Sequence, residues 1–222
     1  MATGKAIAPL SQPQAVRMNG IYRTQRHVYD LTRKYYLLGR DRLIDGLQPG
    51  ETDRILEIGC GTGRNLALAA RRWPGRPLIG VDISSAMLET ARATLSRQRL
   101  DGQVLLVEAD ACALSVQTAL AGQSFERIFF SYTLSMIPAW EYALEEALGM
   151  LAPRGSLHIV DFGQQERLPS LFRALLFGWL RRFHVHPRAD LHAVLEEAAL
   201  RHKRTLTFRA PYRGYAWSAV LA

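Results

Sequence analysis

Only two cysteines, Cys60 and Cys112, occur in the 222 residues. That is too few for a disulfide framework, and their spacing offers no paired zinc ligands; a reducing, cytoplasmic setting is the expectation. No run reaches the roughly 18 apolar residues needed to span a bilayer. The opening MATGKAIAPLSQPQ lacks an apolar segment of signal-peptide length, so neither secretion nor integration into a membrane is expected. Acidic residues are in deficit: 20 Asp+Glu against 28 Lys+Arg leave a net charge of +8. Such a surface favours anionic partners, whether nucleic acid, anionic lipid or an acidic small molecule, without choosing among them. Internal repeats are also missing. What is present is a hydrophobic content of 48%, enough for one continuous core.

Residues 1–19 show little periodicity and read as a flexible tail. From Gly20 to about residue 48 apolar positions recur at three- and four-residue steps (Ile21, Val28, Leu31, Tyr35, Leu38), which predicts an N-terminal helical cap on a single domain spanning 20–222. After Pro49-Gly50, short apolar runs alternate with longer helical patterns, as crossover-connected parallel strands require. The strands are RILEIG (54–59), PLIGVD (77–82), QVLLVEAD (103–110), FERIFFSY (125–132) and SLHIVDF (156–162). Pro153-Arg154-Gly155 reads as a turn before the last of these. Ser84 is placed to cap the helix SAMLETARATLSRQ, and EYALEEALGML (141–151) is a further helix. RTLTFRA and GYAWSAVLA form a terminal hairpin. The fold class is α/β: a Rossmann-like, doubly wound, mainly parallel seven-stranded sheet with a C-terminal antiparallel hairpin and N-terminal helices.

The run Glu57-Ile58-Gly59-Cys60-Gly61-Thr62-Gly63 follows the first strand and opens a helix, so its glycines permit a tight turn and close approach of a ligand. Asp82, at the end of the second strand, is placed to accept both hydroxyls of a ribose. A dinucleotide would suit these two features as well. The glycines, however, are spaced GxGxG rather than GxGxxG, and an acid precedes them, so no pyrophosphate cradle is formed. This EIGCGTG run resembles the first motif of class I S-adenosylmethionine-dependent methyltransferases. The resemblance implies S-adenosylmethionine as cofactor and S-adenosylhomocysteine as product, with Glu57 holding the methionine ammonium. It also places Asp110 at the adenine amine with Ala111 beside it, and Ser131 to Leu134 along the transferable methyl. Ile83 and Met87, just beyond Asp82, belong to the same expected site, as do Gly59, Gly61 and Gly63. Cys60 reads as a space-filler in the loop, and Asp161 either as a cap or as part of the acceptor site.

Methyl transfer is an in-line displacement, which asks for alignment, exclusion of water and a deprotonated acceptor. No Pro-Cys loop for cytosine C5 methylation is present, and no Asn/Asp-Pro-Pro-aromatic tetrad follows the fourth strand; the stretch there is Ser131-Tyr132-Thr133-Leu134-Ser135-Met136-Ile137-Pro138. The segment YRTQRHVYDLTRKYYLLGRDRLI and the SYTLSMIP run are similar to bacterial diacylglyceryl-homoserine N-methyltransferases, which make a trimethylated betaine lipid, and more loosely to bacterial phosphatidylethanolamine N-methyltransferases. Tyr22, Tyr29-Asp30, Arg33 and Gly39-Arg40 carry that likeness. It implies a lipid substrate at an anionic membrane surface, a partner enzyme that makes the homoserine lipid, and a place on the inner face of the membrane.

Tyr22, Tyr29, Tyr35 and Tyr36 offer aromatic faces to a cation, although Tyr29 and Tyr36 would equally serve as core residues. His27 or Asp30 could accept a proton, and Tyr22, His27, Tyr29 and Tyr132 form the expected catalytic set. The stretch LPSLFRALLFGWLRRFHVHP (168–187) sets Phe and Trp beside arginines at a length too short to span. Such a helix suits the headgroup plane; a buried helix over the sheet or a dimer face are the other readings. His184 and His186 lack a third ligand at usable spacing, so no metal is expected. Methylation of a soluble small molecule or a quinone precursor stands as an alternative. An RNA methyltransferase or RNA-binding relative is a further one, weakened by the lack of an appended RNA-binding domain.

Overall fold

The computed structural model describes residues 37–117 and 120–222. Seven strands make one sheet: β1 Ile55–Ile58, β2 Leu78–Asp82, β3 Val104–Glu108, β4 Phe125–Ser131, β5 Leu151–Phe162, β6 Leu206–Arg209 and β7 Ala216–Leu221. Their order across the sheet is β3-β2-β1-β4-β5-β7-β6. The first five run parallel, and β7 is antiparallel to both β5 and β6. The helices are α1 Arg40–Gly46, α2 Arg64–Arg72, α3 Ser85–Arg97, α4 Leu114–Gln117, α5 Trp140–Gly149, α6 Ser170–Arg182 and α7 Leu191–Arg201. This is the doubly wound sheet with a terminal antiparallel hairpin that the sequence predicts.

β1 is buried at all four positions, as a central parallel strand covered on both faces must be. Successive residues supply opposite faces. Leu56, Ile58, Ile128, Phe130, Leu157 and Ile159 pack with α5 and α7, whereas Ile55, Phe129, Val160 and Phe162 pack with α1, α2 and α3. Ser84 caps α3 as expected, accepting from Met87 N at 3.3 Å.

Two boundaries and one helix differ from expectation. β5 begins at Leu151 rather than Ser156: pairing jumps from Phe125–Leu151 to Arg127–Ser156, and Pro153-Arg154-Gly155 is absorbed in that irregularity instead of forming a separate turn. The helix expected over 168–187 stops at Arg182, because His184 takes a left-handed backbone with φ 57°, which helices do not propagate through. α7 was not anticipated, although Leu191, Leu195, Ala198 and Ala199 are buried at helical spacing. Of the expected N-terminal cap, residues from Leu37 onward are described. Here α1 lies on α2, with Trp73 Nε1 donating to Ile44 O at 3.1 Å and Arg64 3.3 Å from Asp41. The tail at 1–19 lies outside the described residues.

Neighbouring connections leave the sheet in opposite directions between β1 and β4, and the carboxyl ends of those strands open a crevice there, where open α/β sheets bind ligands.

Candidate functional site

A cavity of about 740 Å³ fills that crevice, within the 300–1,000 Å³ range of small-molecule sites. Glu57, Gly59, Gly61, Asp82, Ile83, Met87, Asp110, Ala111, Ser131 and Tyr132 line it. The expected set thus converges on one pocket from the ends of β1, β2, β3 and β4. Gly63 does not line it. Its φ of 76° starts α2, and a Cβ there would stand 3.0 Å from Ala91 Cβ, so this glycine serves close packing of α2 on α3 rather than ligand approach. Tyr22, His27 and Tyr29 lie outside the described residues.

The glycine loop is held from β2. Gly59 N and Cys60 N both donate to Val81 O, at 2.7 and 2.9 Å. Asp82 Oδ2 accepts from Gly61 N at 2.8 Å, and its Oδ1 accepts from Ser84 N at 2.9 Å. A carboxylate oxygen can accept more than one bond, so Asp82 can anchor the loop and still receive a diol. Asp110 Oδ1 in turn accepts from Cys112 N at 2.9 Å, which fixes the acid at the other end of the cavity.

Glu57 is 1% exposed. Asn65, on α2, donates to its Oε1 at 2.8 Å, while Oε2 is buried with no hydrogen-bond partner among the described residues. An unsatisfied buried carboxyl oxygen facing a cavity is a vacancy for a donor group, and it fits the ammonium of an amino acid. Ser131 Oγ, likewise buried without a partner among the described residues, is a second such acceptor on the β4 side.

Burial pushes the Glu57 carboxyl up from 4.5 to about 8, against the lowering effects of the Asn65 hydrogen bond and the Arg40 charge. A carboxyl raised in the folded state stabilises the protein below its unfolded pKa and loses that contribution as pH climbs to the folded one. Ligand-free Glu57→Gln should therefore gain unfolding free energy relative to wild type as pH rises from 5 to 9. Urea midpoints across that range test it, and a pH-independent difference would show an ordinary carboxyl.

Tyr132 lines the cavity, but its hydroxyl donates to Leu38 O at 2.6 Å. Burial first, then Asp161, holds that phenol well above its ordinary pKa. Its evident task is to tie the segment entering α1 to the end of β4. Both thiols are also held protonated. Burial, then Asp82 and Glu57, raises Cys60, and burial with Asp110 takes Cys112 to about 12, so neither is a nucleophile. Asp161 is buried and accepts from Ser135 N at 3.0 Å and from Phe162 N at 2.7 Å. This makes it the brace of the 131–138 loop.

Arg40, Arg64, Asn65 and Arg188 are among the lining residues that were not expected at the site. His184 and His186 join them and had been weighed only as metal ligands. The segment after α6 folds back across the acceptor side, where His186 N donates to Ser135 O at 2.8 Å. Arg188 Nε donates to Leu134 O at 3.1 Å and Nη2 to Ile137 O at 2.5 Å. Long-range latching of this kind leaves no local pattern in a sequence. Asn65, by contrast, sits eight residues after Glu57 at the start of α2, and a polar residue on that helix's inner face was a readable signal.

Residues 55–155 match the family described as a methyltransferase domain. A trans-aconitate 2-methyltransferase from Methylobacterium radiotolerans is 35% identical over 112 residues, covering 50% of this chain and 39% of that one. The ubiquinone/menaquinone biosynthesis C-methyltransferase of Bradyrhizobium diazoefficiens is 30% identical over 172 residues, covering 73% and 66%. The chain thus spans less than two thirds of these curated relatives. Among solved structures, the geranyl diphosphate C-methyltransferase of Streptomyces coelicolor, in complex with S-adenosylhomocysteine, superposes with a TM-score of 0.60 at 15% identity, over 82% of this chain and 73% of that one; at that identity the likeness is one of fold. With the glycine turn, Glu57, Asp82 and Asp110 gathered in one pocket, residues 55–155 form a methyltransferase domain of the class I, S-adenosylmethionine-dependent kind.

Proposed function

We propose that the protein N-methylates the amine of a lipid headgroup while resting on the inner face of an anionic membrane, with the homoserine lipid that precedes a betaine lipid as its acceptor. One observation supports this most. Of the seven large apolar side chains exposed among the described residues, four lie on α6: Leu171 at 72%, Phe172 at 46%, Leu175 at 66% and Trp179 at 36%. The opposite side of α6 is anchored, with Leu180 buried and Leu176 and Phe177 packed beneath it. The helix is therefore both a cover for the sheet and an outward apolar ridge, flanked by exposed Arg173, Arg181 and Arg182. An apolar ridge with basic flanks is complementary to an anionic headgroup layer, and no helix of the described residues is long and apolar enough to cross it. α6 runs directly into His184, His186 and Arg188 at the cavity, so a lipid head beneath the ridge would meet the pocket without leaving the bilayer.

When bound, S-adenosylmethionine supplies an electrophilic methyl on a sulfonium. The chain's own part is to hold and align. Met136, Ile137 and Pro138 give the acceptor side an apolar wall that excludes water. His184 and His186 are exposed imidazoles at the rim, the side-chain type suited to taking the proton an ammonium must shed before attack. Arg188, fixed by two carbonyls, offers a cation to an acid beside that amine. A homoserine head carries such a carboxylate.

The curated relatives support a second reading, an acidic or quinol-like soluble acceptor, which the same cationic rim would suit. Mass spectrometry of lipids after expression with the homoserine lipid supplied decides between them: gains of one to three methyl groups are expected, and an unchanged headgroup would sink the lipid reading. Trp179→Ala with Phe172→Ala should reduce flotation with anionic vesicles about tenfold or more, since each aromatic contributes up to about 1.5–3 kcal/mol when buried. Binding indifferent to both lipid charge and these substitutions would remove the membrane role of α6.

A further inference from the structure

The helix that carries the apolar ridge is continuous with the wall of the acceptor side. Residues 170–175, the first half of α6, are all exposed, and its grip on the core comes from the second half, through Leu176, Phe177 and Leu180. At about 1.5 Å of rise per residue, the 13 residues of α6 make a stiff rod of about 20 Å. The joint at its end is stiff too. Val185 N donates to Leu180 O and His184 N to Arg181 O, both at 3.1 Å, with His184 in a left-handed backbone; a hydrogen-bonded stop of this kind fixes the direction in which the chain leaves the helix. Trp179, on the ridge, packs its ring on that of Phe183 at 4.9 Å, and Val185 is buried.

Beyond that joint, the strap 183–188 is latched to the loop after β4. His186 N donates to Ser135 O at 2.8 Å, and Arg188 bridges Leu134 O and Ile137 O through Nε and Nη2. Ser135 N is held from β5 by Asp161 Oδ2 at 3.0 Å. Met136, Ile137 and Pro138, which wall the cavity, thus sit on a loop whose carbonyls are tied to the strap. We infer that α6 and residues 183–188 act as one lever, so that seating the ridge on an anionic bilayer orders the acceptor wall, with Arg188 as the positioning residue that carries the coupling. A helix half clear of the core, with an apolar outer face in water, belongs to the low-stability end of a molecule. A surface that binds its ordered form stabilises that form, and with it the segments bonded to it. The inference deepens the lipid-headgroup reading and rests on it: the acceptor wall is best formed at the surface that holds the acceptor.

Amide hydrogen exchange of the full chain, with phosphatidylglycerol vesicles and with neutral phosphatidylcholine vesicles, tests the coupling. Residues 132–135 are buried, so lipid cannot shield their amides directly. Anionic vesicles should slow exchange across α6, and also in the 131–138 and 183–188 peptides by about fivefold or more, the low end of coupling between sites. Arg188→Lys keeps the charge but not the fork that spans two carbonyls; it should retain the slowing on α6 and lose it at 131–138. Phe172→Ala with Trp179→Ala stands in should that variant fail to fold: it should abolish both effects, and slowing at 131–138 that survives loss of the ridge would overturn the lever. Slowing on α6 with 131–138 unchanged in the wild type would also overturn the lever, and leave the membrane reading standing. Arg188→Lys with wild-type slowing at 131–138 would remove Arg188 as the positioning residue. No slowing anywhere would take away the membrane reading, and the lever with it.

Discussion

Asp82→Ala is expected to weaken S-adenosylhomocysteine by about 1–3 kcal/mol, or 5- to 150-fold, the usual loss when hydrogen bonds to a charged acceptor are removed. Two effects combine in that figure. The ribose hydroxyls lose their acceptor, and the amides of Gly61 and Ser84, now 2.8 and 2.9 Å from the carboxylate, lose theirs. Thermal denaturation of the ligand-free variant isolates the second effect, and calorimetry measures the sum. Lowered stability with undiminished affinity would leave Asp82 as an anchor of the glycine loop only.

Gly59→Ala should cost more in folding than in binding. The position has a φ of 75° and an added Cβ would lie 2.2 Å from Thr133 Cγ2 and 2.8 Å from Thr133 Oγ1. Thr133 cannot swing away easily, since it is buried and follows Tyr132, whose own φ is 57°. Left-handed strain of about 1–2 kcal/mol and overpacking of about 1–3 kcal/mol sum to about 2–5 kcal/mol, a large share of a domain's 5–15 kcal/mol. Denaturant unfolding measures it. Thr133→Ala in the same chain should recover the steric part and not the backbone part; a single-variant loss below about 1 kcal/mol would show that the β4 loop yields.

That crowding also changes why the glycines matter. In sequence, EIGCGTG reads as a turn cleared for a ligand. In space, Gly59 is cleared for Thr133 and Gly63 for Ala91, and Gly61, at φ 52°, is the glycine of the three whose amide meets Asp82. The motif was legible because it is contiguous; the division of labour within it was not, because Thr133 and Ala91 come from elsewhere in the chain.

Tyr132 follows the same pattern. An aromatic at the end of β4 invites a role at the transferable methyl, but its hydroxyl is committed to Leu38 O, a partner 94 residues away that no spacing rule would find. α6 shows the reverse. Its mixture of apolar and basic residues left buried and surface readings open, and the structure satisfies both by turning Leu180 inward and Leu171, Phe172, Leu175 and Trp179 outward.

The sequence by itself determined what depends on neighbours in the chain: alternating strands and helices, the glycine turn with its acid, the Ser84 cap, and the acids ending β2 and β3. Local periodicity and backbone sterics suffice for these. Only the tertiary structure decided which side chains share the cavity with them, that Glu57 is buried with one oxygen unpartnered among the described residues, that the Arg40 charge acts on it, and that residues 184–188 fold back over the acceptor side. Those outcomes depend on burial and on hydrogen bonds between segments far apart in the chain, which exist only once the sheet has assembled.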